Sequence, residues 1–431
     1  MKILIVGNGG REHALAWKLR RDAPAAELFA TQPNPGIARL ATAVDLPPSD
    51  VGAVTSWAEG TKPDLTIIGP EVPLALGLGD ALRQRGLPVF GPGASAARIE
   101  ASKAFAKDLM ARAGVPTSAH RTFTSWPEAQ AYISAAGAPI VVKASGLAAG
   151  KGAIVCPSTG EALAAAKSML TGGAFGAAGS EIVVEEFMEG EELSVFALTD
   201  GHDAVLMLPS QDYKRAGEGD TGPNTGGMGS YAPVPIATEA TVGLVRDRII
   251  SPVLEGLRDA GAPFRGLLYA GLMITGSGPK VVEFNCRFGD PETQALLPLM
   301  KSSLLDLMIP IARDGSISGA ACDWEDGAAL NTVLASAGYP GSYENGKEIT
   351  LPPRSDRQDG LLVFHAGTRD TDGRLLTNGG RVLSVVGVGG DLEEARARSL
   401  AGADVIRFEG KTLRRDIGWR AFSSDARATG S

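Results

Sequence analysis

The segment KVVEFNCRFGDPETQ spans Lys280 to Gln294 and carries the strongest structural signal in this chain. In an extended strand, side chains alternate between two faces, so Glu283, Asn285 and Arg287 should share one face. The residues between them should face a core: Val282, Phe284 and Cys286. A carboxylate beside an amide oxygen offers hard oxygen ligands that suit Mg²⁺ or Mn²⁺. We therefore predict a metal site at Glu283 and Asn285, beside an arginine fork that can hold a carboxylate or phosphate.

A glycine-rich loop follows a predicted strand in VVKASGLAAGKGAIV, Val141 to Val155. Lys143 ends that strand, and Gly150 and Lys151 lie near the far end of the loop. Lysines around a flexible glycine loop suit a polyphosphate. The loop is not a Walker A loop, because Gly152 stands where Ser or Thr would follow the lysine. The alternative is a solvated loop with incidental lysines, which the buried-looking strand before Lys143 disfavours.

The segment VVEEFMEGEELSVFAL, Val183 to Leu198, begins with a strand that ends in two acidic residues, Glu185 and Glu186. Phe187 and Met188 follow, and such apolar side chains can line a slot for an adenine ring. Backbone groups would read the base edge, and a nearby glutamate would hold the ribose hydroxyls. By spacing alone, a surface hairpin explains this segment equally well.

The turn GNGGREH, Gly7 to His13, lies between a predicted strand and a predicted helix. Glycines allow the backbone to approach an anion, and a helix N-terminus favours negative charge. The spacing is not GxGxxG, so a tight structural turn remains the alternative. Dinucleotide binding is disfavoured because the second strand is followed by TQPNPG rather than by an acid that could bind a ribose diol.

A long segment, Ser210 to Pro235, is rich in Gly, Pro and Asp and shows no regular period. We expect an irregular loop here, and long loops inside compact regions are often functional. Two further motifs, FHAGT at Phe364–Thr368 and TNGGRVL at Thr377–Leu383, indicate no function on their own.

Strands and helices alternate over roughly the first hundred residues, which predicts a doubly wound parallel sheet. Ser95–Ala113 is predicted to form one helix, and Gly266–Ile274 should pair with Lys280–Asn285 in a hairpin. From about residue 328 the pattern changes to short strands and one helix, Leu392–Leu400, which predicts a small α+β domain.

Composition excludes some classes of protein. The 431 residues carry a net charge of −8, which argues against a general nucleic-acid binder. No apolar run approaches the roughly 18 residues that a membrane span needs. The three cysteines are far apart in sequence, at Cys156, Cys286 and Cys322, which favours a reducing compartment and a cytoplasmic location.

Together these segments resemble the phosphoribosylamine–glycine ligase family of the ATP-grasp superfamily. The resemblance runs over nearly the whole chain and includes VGNGGREHALAW, GPE at Gly69–Glu71, EASKAFAKD, KASGLAAGKG, SQDYKR, TGPNTGGMG, EFNCRFGDPETQ, HAGT, TNGGR and DIGWRA. It implies a mixed α/β and α+β multidomain fold. A Rossmann-like pre-ATP-grasp domain would span residues 1–102, a two-lobed ATP-grasp core residues 103–325 with its small lobe at about 118–190, and a C-terminal domain residues 326–431.

The resemblance also implies a reaction in purine biosynthesis. ATP, glycine and 5-phosphoribosylamine would become glycinamide ribonucleotide, ADP and phosphate through glycyl phosphate, in a monomeric cytoplasmic enzyme that needs Mg²⁺ or Mn²⁺. The implied ATP site comprises Lys103, Lys143, Gly150, Lys151, Glu185, Glu186, Phe187, Met188 and the ribose ligand Glu192. The implied catalytic residues are Asp212, Lys214, Arg287 and Asp290, and the implied metal ligands are Glu283 and Asn285. Gly9, Gly10 and Arg11 would hold the ribose phosphate, with HAGT closing that side.

One departure concerns the wider superfamily, in which a second carboxylate usually lies on the strand beside Glu283. Here that strand reads LLYAGLMI, Leu267–Ile274, and has no acid, which leaves the number of metal ions open. Three other functions remain alternatives: another ATP-grasp carboxylate–amine ligase, a nucleotide-dependent dehydrogenase built on GNGG, and a non-catalytic ATP-binding regulator.

Overall fold

The computed structural model describes residues 1–148, 152–173, 175–352 and 360–422. Its N-terminal region is a five-stranded parallel sheet in the order β3-β2-β1-β4-β5, which confirms the predicted parallel sheet. The elements are β1 (Lys2–Val6), α1 (Gly10–Asp22), β2 (Glu27–Thr31), α2 (Pro35–Ala38), β3 (Thr42–Val44), α3 (Val51–Thr61), β4 (Leu65–Ile68), α4 (Glu71–Ala75), α5 (Leu78–Arg83), β5 (Val89–Phe90) and α6 (Ala94–Ala101).

The single helix predicted over Ser95–Ala113 is wrong, because the chain breaks between α6 and α7 (Lys103–Arg112). Ser102 has an extended backbone with φ −142° and ψ 107°, and its hydroxyl accepts a hydrogen bond from the N–H of Phe105. Serine at this position satisfies one of the free N–H groups of the new helix. The break places Lys103 in the first turn of α7, where its own N–H donates to the carbonyl of Ser145.

A small lobe follows, built on a four-stranded antiparallel sheet in the order β6-β9-β7-β8. Its elements are β6 (His120–Phe123), α8 (Trp126–Ala136), β7 (Ile140–Ala144), β8 (Ala153–Cys156), α9 (Thr159–Leu170) and β9 (Ile182–Glu186). The lobe has an apolar core of its own, which includes Phe123, Ile133, Val142, Met169 and Val184. Because this core is distinct from the others, the lobe packs as a separate unit.

The irregular loop predicted over Ser210–Pro235 is also wrong. After β10 (Glu191–Thr199) and β11 (Ala204–Leu206), the chain forms four short strands: β12 (Gln211–Asp212), β13 (Arg215–Gly217), β14 (Thr221–Asn224) and β15 (Gly229–Ala232). β12 pairs with β15, which joins the sheet of the C-terminal region, while β13 and β14 form an isolated hairpin. The partners of β15 lie about a hundred residues away in sequence, at Ala329–Thr332, so no local pattern reveals the strand.

The next region completes a second antiparallel sheet, in the order β11-β10-β16-β17, which confirms the predicted hairpin. Its elements are α10 (Glu239–Val245), α11 (Ser251–Asp259), β16 (Gly266–Thr275), β17 (Gly278–Asn285), α12 (Glu292–Leu296) and α13 (Leu304–Ala312). The register shifts between Gly271 and Leu272, so Val282 is an extra residue in β17. The predicted core position of Val282 is therefore wrong: Val281 is fully buried, whereas Val282 lines a cavity.

The C-terminal region is built on a six-stranded sheet in the order β12-β15-β18-β22-β19, with β23 beside β18. Its elements are β18 (Ala328–Ser336), β19 (Leu361–His365), β20 (Thr368–Thr371), β21 (Arg374–Thr377), β22 (Arg381–Gly389), α14 (Leu392–Val405) and β23 (Lys411–Thr412). The predicted α+β character is confirmed. In the described ranges, no helix is both long and apolar enough to cross a membrane.

The N-terminal sheet, the sheet of β10 and β16, and the C-terminal sheet share one apolar core. Ile5, Leu15, Tyr269 and Phe364 belong to the same buried cluster, although they come from three different regions. These regions therefore form a common body, and the small lobe faces it.

Candidate active site

A cavity of about 780 Å³ is lined by residues of both the small lobe and the common body. Of the residues selected from the sequence, its walls include Arg11, Lys103, Lys143, Glu185, Glu186, Phe187, Met188, Glu192, Asp212, Lys214, Glu283, Asn285, Arg287 and Asp290. Gly9 and Gly10 are not among the lining residues, and Gly150 and Lys151 fall outside the described ranges.

Lys143 lies on β7 and is held by Glu185 on the neighbouring strand β9. Its Nζ atom lies 3.0 Å from Oε2 of Glu185 and 3.0 Å from the carbonyl oxygen of Val282. A second lysine, Lys107, contacts the same carboxylate oxygen at 3.2 Å. Burial opposes ionisation of Glu185, but the charges of the two lysines lower the pKa of its carboxyl group. Both cations are thus anchored by one ionised carboxylate.

Lys103 begins α7, and its side chain points along the start of the glycine-rich loop. Its Nζ atom donates to the carbonyl oxygen of Gly146 at 3.4 Å. Burial lowers the pKa of Lys103, while the charge of Glu283 opposes this shift. The first described residues of the loop, Leu147 and Ala148, line the cavity beside it.

Glu283 and Asn285 both line the cavity, as their alternation along β17 predicted. Burial raises the pKa of Glu283, but nearby cations outweigh burial and lower it; they are Lys214, Lys143, Lys103 and Arg287. The carboxylate of Glu283 is therefore ionised and faces positive charge. Asn285 lines the same cavity, and together the two side chains offer the carboxylate and carbonyl oxygens that a hard divalent cation prefers. No three His, Cys, Asp or Glu side chains converge as a metal site anywhere in the described ranges, so protein ligands here number fewer than three of these types.

Arg287 follows β17 and forms ion pairs with two carboxylates of the N-terminal region. Its Nη2 atom lies 2.9 Å from Glu100, and its Nε atom lies 3.3 Å from Glu71. Burial lowers the pKa of the guanidinium, but the charges of these two carboxylates outweigh burial and raise the pKa above its usual value. Glu71 follows Gly69 and Pro70 in the GPE motif and lines the cavity itself.

Asp212 and Lys214 lie on either side of Tyr213 at the start of the β13–β14 hairpin. Nζ of Lys214 contacts Glu192 at 2.5 Å and Asp212 at 3.9 Å. Burial raises the pKa of Asp212 to about 8, and Lys214 opposes this shift. A carboxyl group whose pKa lies near neutrality can exchange a proton during a reaction.

Asp290 lies at the N-terminus of α1, where the backbone N–H of Arg11 donates to its Oδ2 atom at 3.2 Å. Arg381 contacts its other oxygen at 3.2 Å. The N–H of Gly9 donates to Glu12 at 2.7 Å, so two N–H groups of the glycine turn already have carboxylate partners. A Cβ atom on Gly10 would lie 2.7 Å from Nε2 of Gln294, so a larger residue here would have to displace that side chain.

The FHAGT motif packs against the same turn. His365 donates its backbone N–H to Nδ1 of His13 at 2.7 Å, and its carbonyl accepts from Asn34. Ala366 lies next to Gly10. Burial and then the charge of Arg39 lower the pKa of His365 to about 4.

Several cavity residues were missed by the sequence analysis: Glu71, Lys107, Asp220, Tyr269, Glu292, Arg381 and Arg420. Lys107 could have been found, because it lies four residues after Lys103 and therefore on the same face of α7. The others reach the cavity through long-range packing that no local spacing reveals.

Family models match three consecutive parts of the chain. The model of the phosphoribosylglycinamide synthetase N domain matches residues 1–100, that of the ATP-grasp (A) domain residues 101–293, and that of the C domain residues 329–420. The chain is 48% identical over 425 residues to the phosphoribosylamine–glycine ligase of Agrobacterium fabrum, a match that covers 99% of this chain and 100% of that relative.

Solved structures agree with these matches. The phosphoribosylamine–glycine ligase of Thermotoga maritima is 33% identical and aligns with a TM-score of 0.84 over 97% of this chain and 100% of that one. The biotin carboxylase domain of the Hydrogenobacter thermophilus 2-oxoglutarate carboxylase, solved with MgADP, ADP and bicarbonate, aligns with a TM-score of 0.72 over 96% of this chain and 91% of that one. At 17% identity, this second likeness shows the fold alone.

The N, ATP-grasp and C domain models match consecutive parts of this chain, and the relatives align over nearly their full length. The chain belongs to the phosphoribosylamine–glycine ligase family.

Proposed function

We infer that this cavity carries out the phosphoribosylamine–glycine ligase reaction of purine biosynthesis: ATP, glycine and 5-phosphoribosylamine give glycinamide ribonucleotide, ADP and phosphate. The observation that carries this inference is that one cavity is lined by four cationic side chains and by Glu283, whose pKa they lower: Lys103, Lys143, Lys214 and Arg287. Transfer of a phosphoryl group to a carboxylate crowds negative charge at one point, and such a site needs cations already in place.

We assign the ATP phosphates to Lys103 and Lys143, with Gly150 and Lys151 of the glycine-rich loop. Glu185 supports this role because its carboxylate fixes the position of Lys143. Glu186, Phe187 and Met188 line the same cavity and would surround the adenine ring. Glu192, whose side chain is about one third exposed, would bind the ribose hydroxyls.

Enzymes with an ATP-grasp domain bind ATP together with Mg²⁺. In this chain, Glu283 and Asn285 would hold Mg²⁺ or Mn²⁺, since their carboxylate and carbonyl oxygens face the same cavity. The bound metal supplies positive charge to the phosphate oxygens.

Glycine is a poor electrophile until its carboxylate is activated. Transfer of the γ-phosphoryl group to a carboxylate oxygen gives glycyl phosphate and ADP. The amine of phosphoribosylamine then attacks the acyl carbon, and phosphate leaves. We propose that Arg287 orients the carboxylate, and that Asp212 takes the proton that the attacking amine releases, while Lys214 stabilises the ionised form of Asp212. Asp290 would orient the substrates beside α1.

We assign the ribose phosphate of phosphoribosylamine to Gly9, Gly10 and Arg11, with the HAGT segment closing that side. The position of Ala366 supports this arrangement, since a Cβ atom added to Gly10 would lie 3.4 Å from the Cβ atom of Ala366. In the structure the N–H groups of Gly9 and Arg11 donate to Glu12 and Asp290, so a phosphate must displace these carboxylates to bind there.

We also propose the wider organisation of the enzyme. Domain divisions after residues 102 and 325 are supported by the break at Ser102 and by the family matches, which begin at residues 101 and 329. A monomer in the cytoplasm is the state that we propose for the active enzyme.

The test is product analysis after incubation with ATP, Mg²⁺, glycine and freshly generated phosphoribosylamine. We expect glycinamide ribonucleotide, ADP and phosphate, and no product when glycine is omitted. Product with another carboxylate alone would indicate a different ATP-grasp ligase, and ATP binding without turnover would indicate a regulator. Calorimetry with NAD tests the dehydrogenase alternative.

A further inference from the structure

The β13–β14 hairpin, residues 215–224, is fastened to the C-terminal region by a buried arginine. The guanidinium of Arg414 is fully buried. Its Nη1 atom donates to Asp220 at the tip of the hairpin, at 3.0 Å, and to the carbonyl oxygen of Arg215 at 3.0 Å. Its other nitrogens donate to Asp416, at 2.8 and 2.7 Å. One cation thus joins the tip of the hairpin to the last part of the described chain.

Neighbouring contacts strengthen this connection. Arg420 forms an ion pair with the second oxygen of Asp220. The N–H of Gly219 donates to Asp416 at 2.8 Å, and the N–H of Arg415 donates to Glu218 at 3.0 Å. Hydrogen bonds to ionised groups are stronger than those between neutral groups. Here they are concentrated at the tip of the hairpin, which is otherwise exposed.

The same arginines also contact the base of the hairpin. The guanidinium carbons of Arg414 and Arg420 lie 5.0 and 5.2 Å from the ring centroid of Tyr213, within the range of a cation–π interaction. Tyr213 lies between Asp212 and Lys214, which line the cavity. The arginines therefore hold both ends of the hairpin and the short segment that carries two proposed catalytic residues.

The hairpin itself forms part of the cavity wall. Arg215, Asp220 and Asn224 line the cavity. Nδ2 of Asn224 donates to the carbonyl oxygen of Ala153 in the small lobe, at 3.4 Å. Because β13 and β14 pair with no other strand in the part of the chain that the structure describes, the hairpin has little stability of its own, and its position depends on the contacts at its tip and base.

We propose that Arg414 is a positioning residue of the ligase reaction. Its ion pair with Asp220, which we call the latch, holds the hairpin over the cavity and so keeps water away from the acyl phosphate. This proposal rests on the proposed function. If the latch opens, water attacks the acyl carbon of glycyl phosphate in place of the amine. Phosphate then leaves, glycine is regenerated, and one ATP is consumed without product.

The experiment compares the wild-type enzyme with Arg414→Met and Asp220→Asn. Arg414→Met removes the buried charge. Asp220→Asn weakens the same ion pair from the partly exposed side of the hairpin, so this second variant tests the proposal even if Arg414→Met does not fold. The matched control is Arg415→Ala: its side chain pairs with Asp404 on the surface, and the backbone N–H that contacts Glu218 is retained.

Hydrogen exchange of a peptide that covers residues 215–224 reports on the latch without any turnover. We expect exchange about tenfold faster or more in both variants, since a charge-assisted hydrogen bond shifts an opening equilibrium by that much. The ratio of phosphate released to glycinamide ribonucleotide formed should be close to one in the wild type and in Arg415→Ala. In the two variants the ratio should rise, while the KM for ATP changes little.

Wild-type exchange in Asp220→Asn would overturn the proposal, and so would faster exchange with an unchanged ratio. A destabilised fold alone lowers product and phosphate release together, so it would leave the ratio at one and also count against the proposal. If the wild-type enzyme forms no glycinamide ribonucleotide, the proposed function fails, and the exchange rates then decide whether the latch exists.

Discussion

The Nη2 atom of Arg287 lies 2.9 Å from the Oε1 atom of Glu100, a carboxylate on α6 whose side chain is 8% exposed. The other oxygen of Glu100 accepts the backbone N–H of Cys286, at 2.8 Å. One carboxylate therefore fixes both the side chain of Arg287 and the backbone just before it. The orientation of this arginine in the cavity is thus set from the N-terminal region.

We predict that Glu100→Gln lowers kcat/KM for glycine. The change keeps the shape of the side chain but removes the charge that orients Arg287, and misplacing a reacting group by about 1 Å can cost roughly 100-fold in rate. We expect a loss of about tenfold to 100-fold, measured by initial rates. Glu59→Gln, which removes an exposed pair with Arg85, is the control and should have wild-type kinetics. Unchanged kinetics in Glu100→Gln would contradict the role of Glu100.

Lys143→Ala should weaken the use of ATP while the small lobe stays folded. Loss of one preorganised phosphate contact should cost about 2–4 kcal/mol of transition-state stabilisation. Steady-state kinetics and circular dichroism measure the two effects. Lys167, on the exposed side of α9, provides the control Lys167→Ala. Wild-type kinetics in Lys143→Ala would show that this lysine is not a phosphate ligand.

Ligands should protect the β13–β14 hairpin from proteases. The tip of the hairpin is exposed at Glu218 and Gly219, whereas the residues of β12 and β15 on either side of the hairpin are buried. We expect a Glu-specific protease to cut at Glu218 more slowly when ATP and glycine are present, because closure shields the tip. Mass spectrometry of the fragments gives the rate. Equal rates with and without ligands would argue against closure over the cavity.

The metal assignment predicts opposite effects for two variants. Glu283→Gln removes a charged ligand, so it should strongly impair catalysis and raise the Mg²⁺ concentration that activity requires. Asn285→Asp adds a charge, so it should tighten binding of free metal but repel the charge that develops on the phosphate. Activity across a Mg²⁺ titration measures both effects. An unchanged metal requirement in Glu283→Gln would remove the assignment.

His365 should make the protein less stable in mild acid. Burial lowers the pKa of His365 to about 4, whereas an unfolded histidine has a pKa of about 6.5. Between these values the unfolded state binds more protons, so the free energy of unfolding falls as the pH falls from 6.5 to 4, by up to about 3 kcal/mol. Urea unfolding at several pH values measures this slope. His365→Gln should flatten it, and an equal slope in that variant would contradict the prediction.

Local patterns predicted the parts of the fold in which partners are close in sequence. The hairpin of β16 and β17 is an example, and so is the common cavity of Glu283, Asn285 and Arg287. The same reasoning failed at Val282, because one extra residue reverses the alternation of a strand. It also missed Glu71, whose contact with Arg287 joins positions 216 residues apart. Such contacts depend on how whole domains pack, which the spacing of residues along the chain does not encode.

The pairing of strand Gly229–Ala232 with a distant segment affects how the enzyme folds during its synthesis. Its partner, Ala328–Ser336, leaves the ribosome about a hundred residues later, and that strand in turn needs Arg381–Gly389. The small lobe can fold long before then, since its core is its own. Asp212 and Lys214 come shortly before the strand Gly229–Ala232, which cannot pair until its partner has been synthesised. We therefore expect the part of the cavity that they line to form last. We therefore expect a nascent chain to lack a complete catalytic centre until synthesis is almost finished, which would prevent wasteful ATP hydrolysis by partly made enzyme.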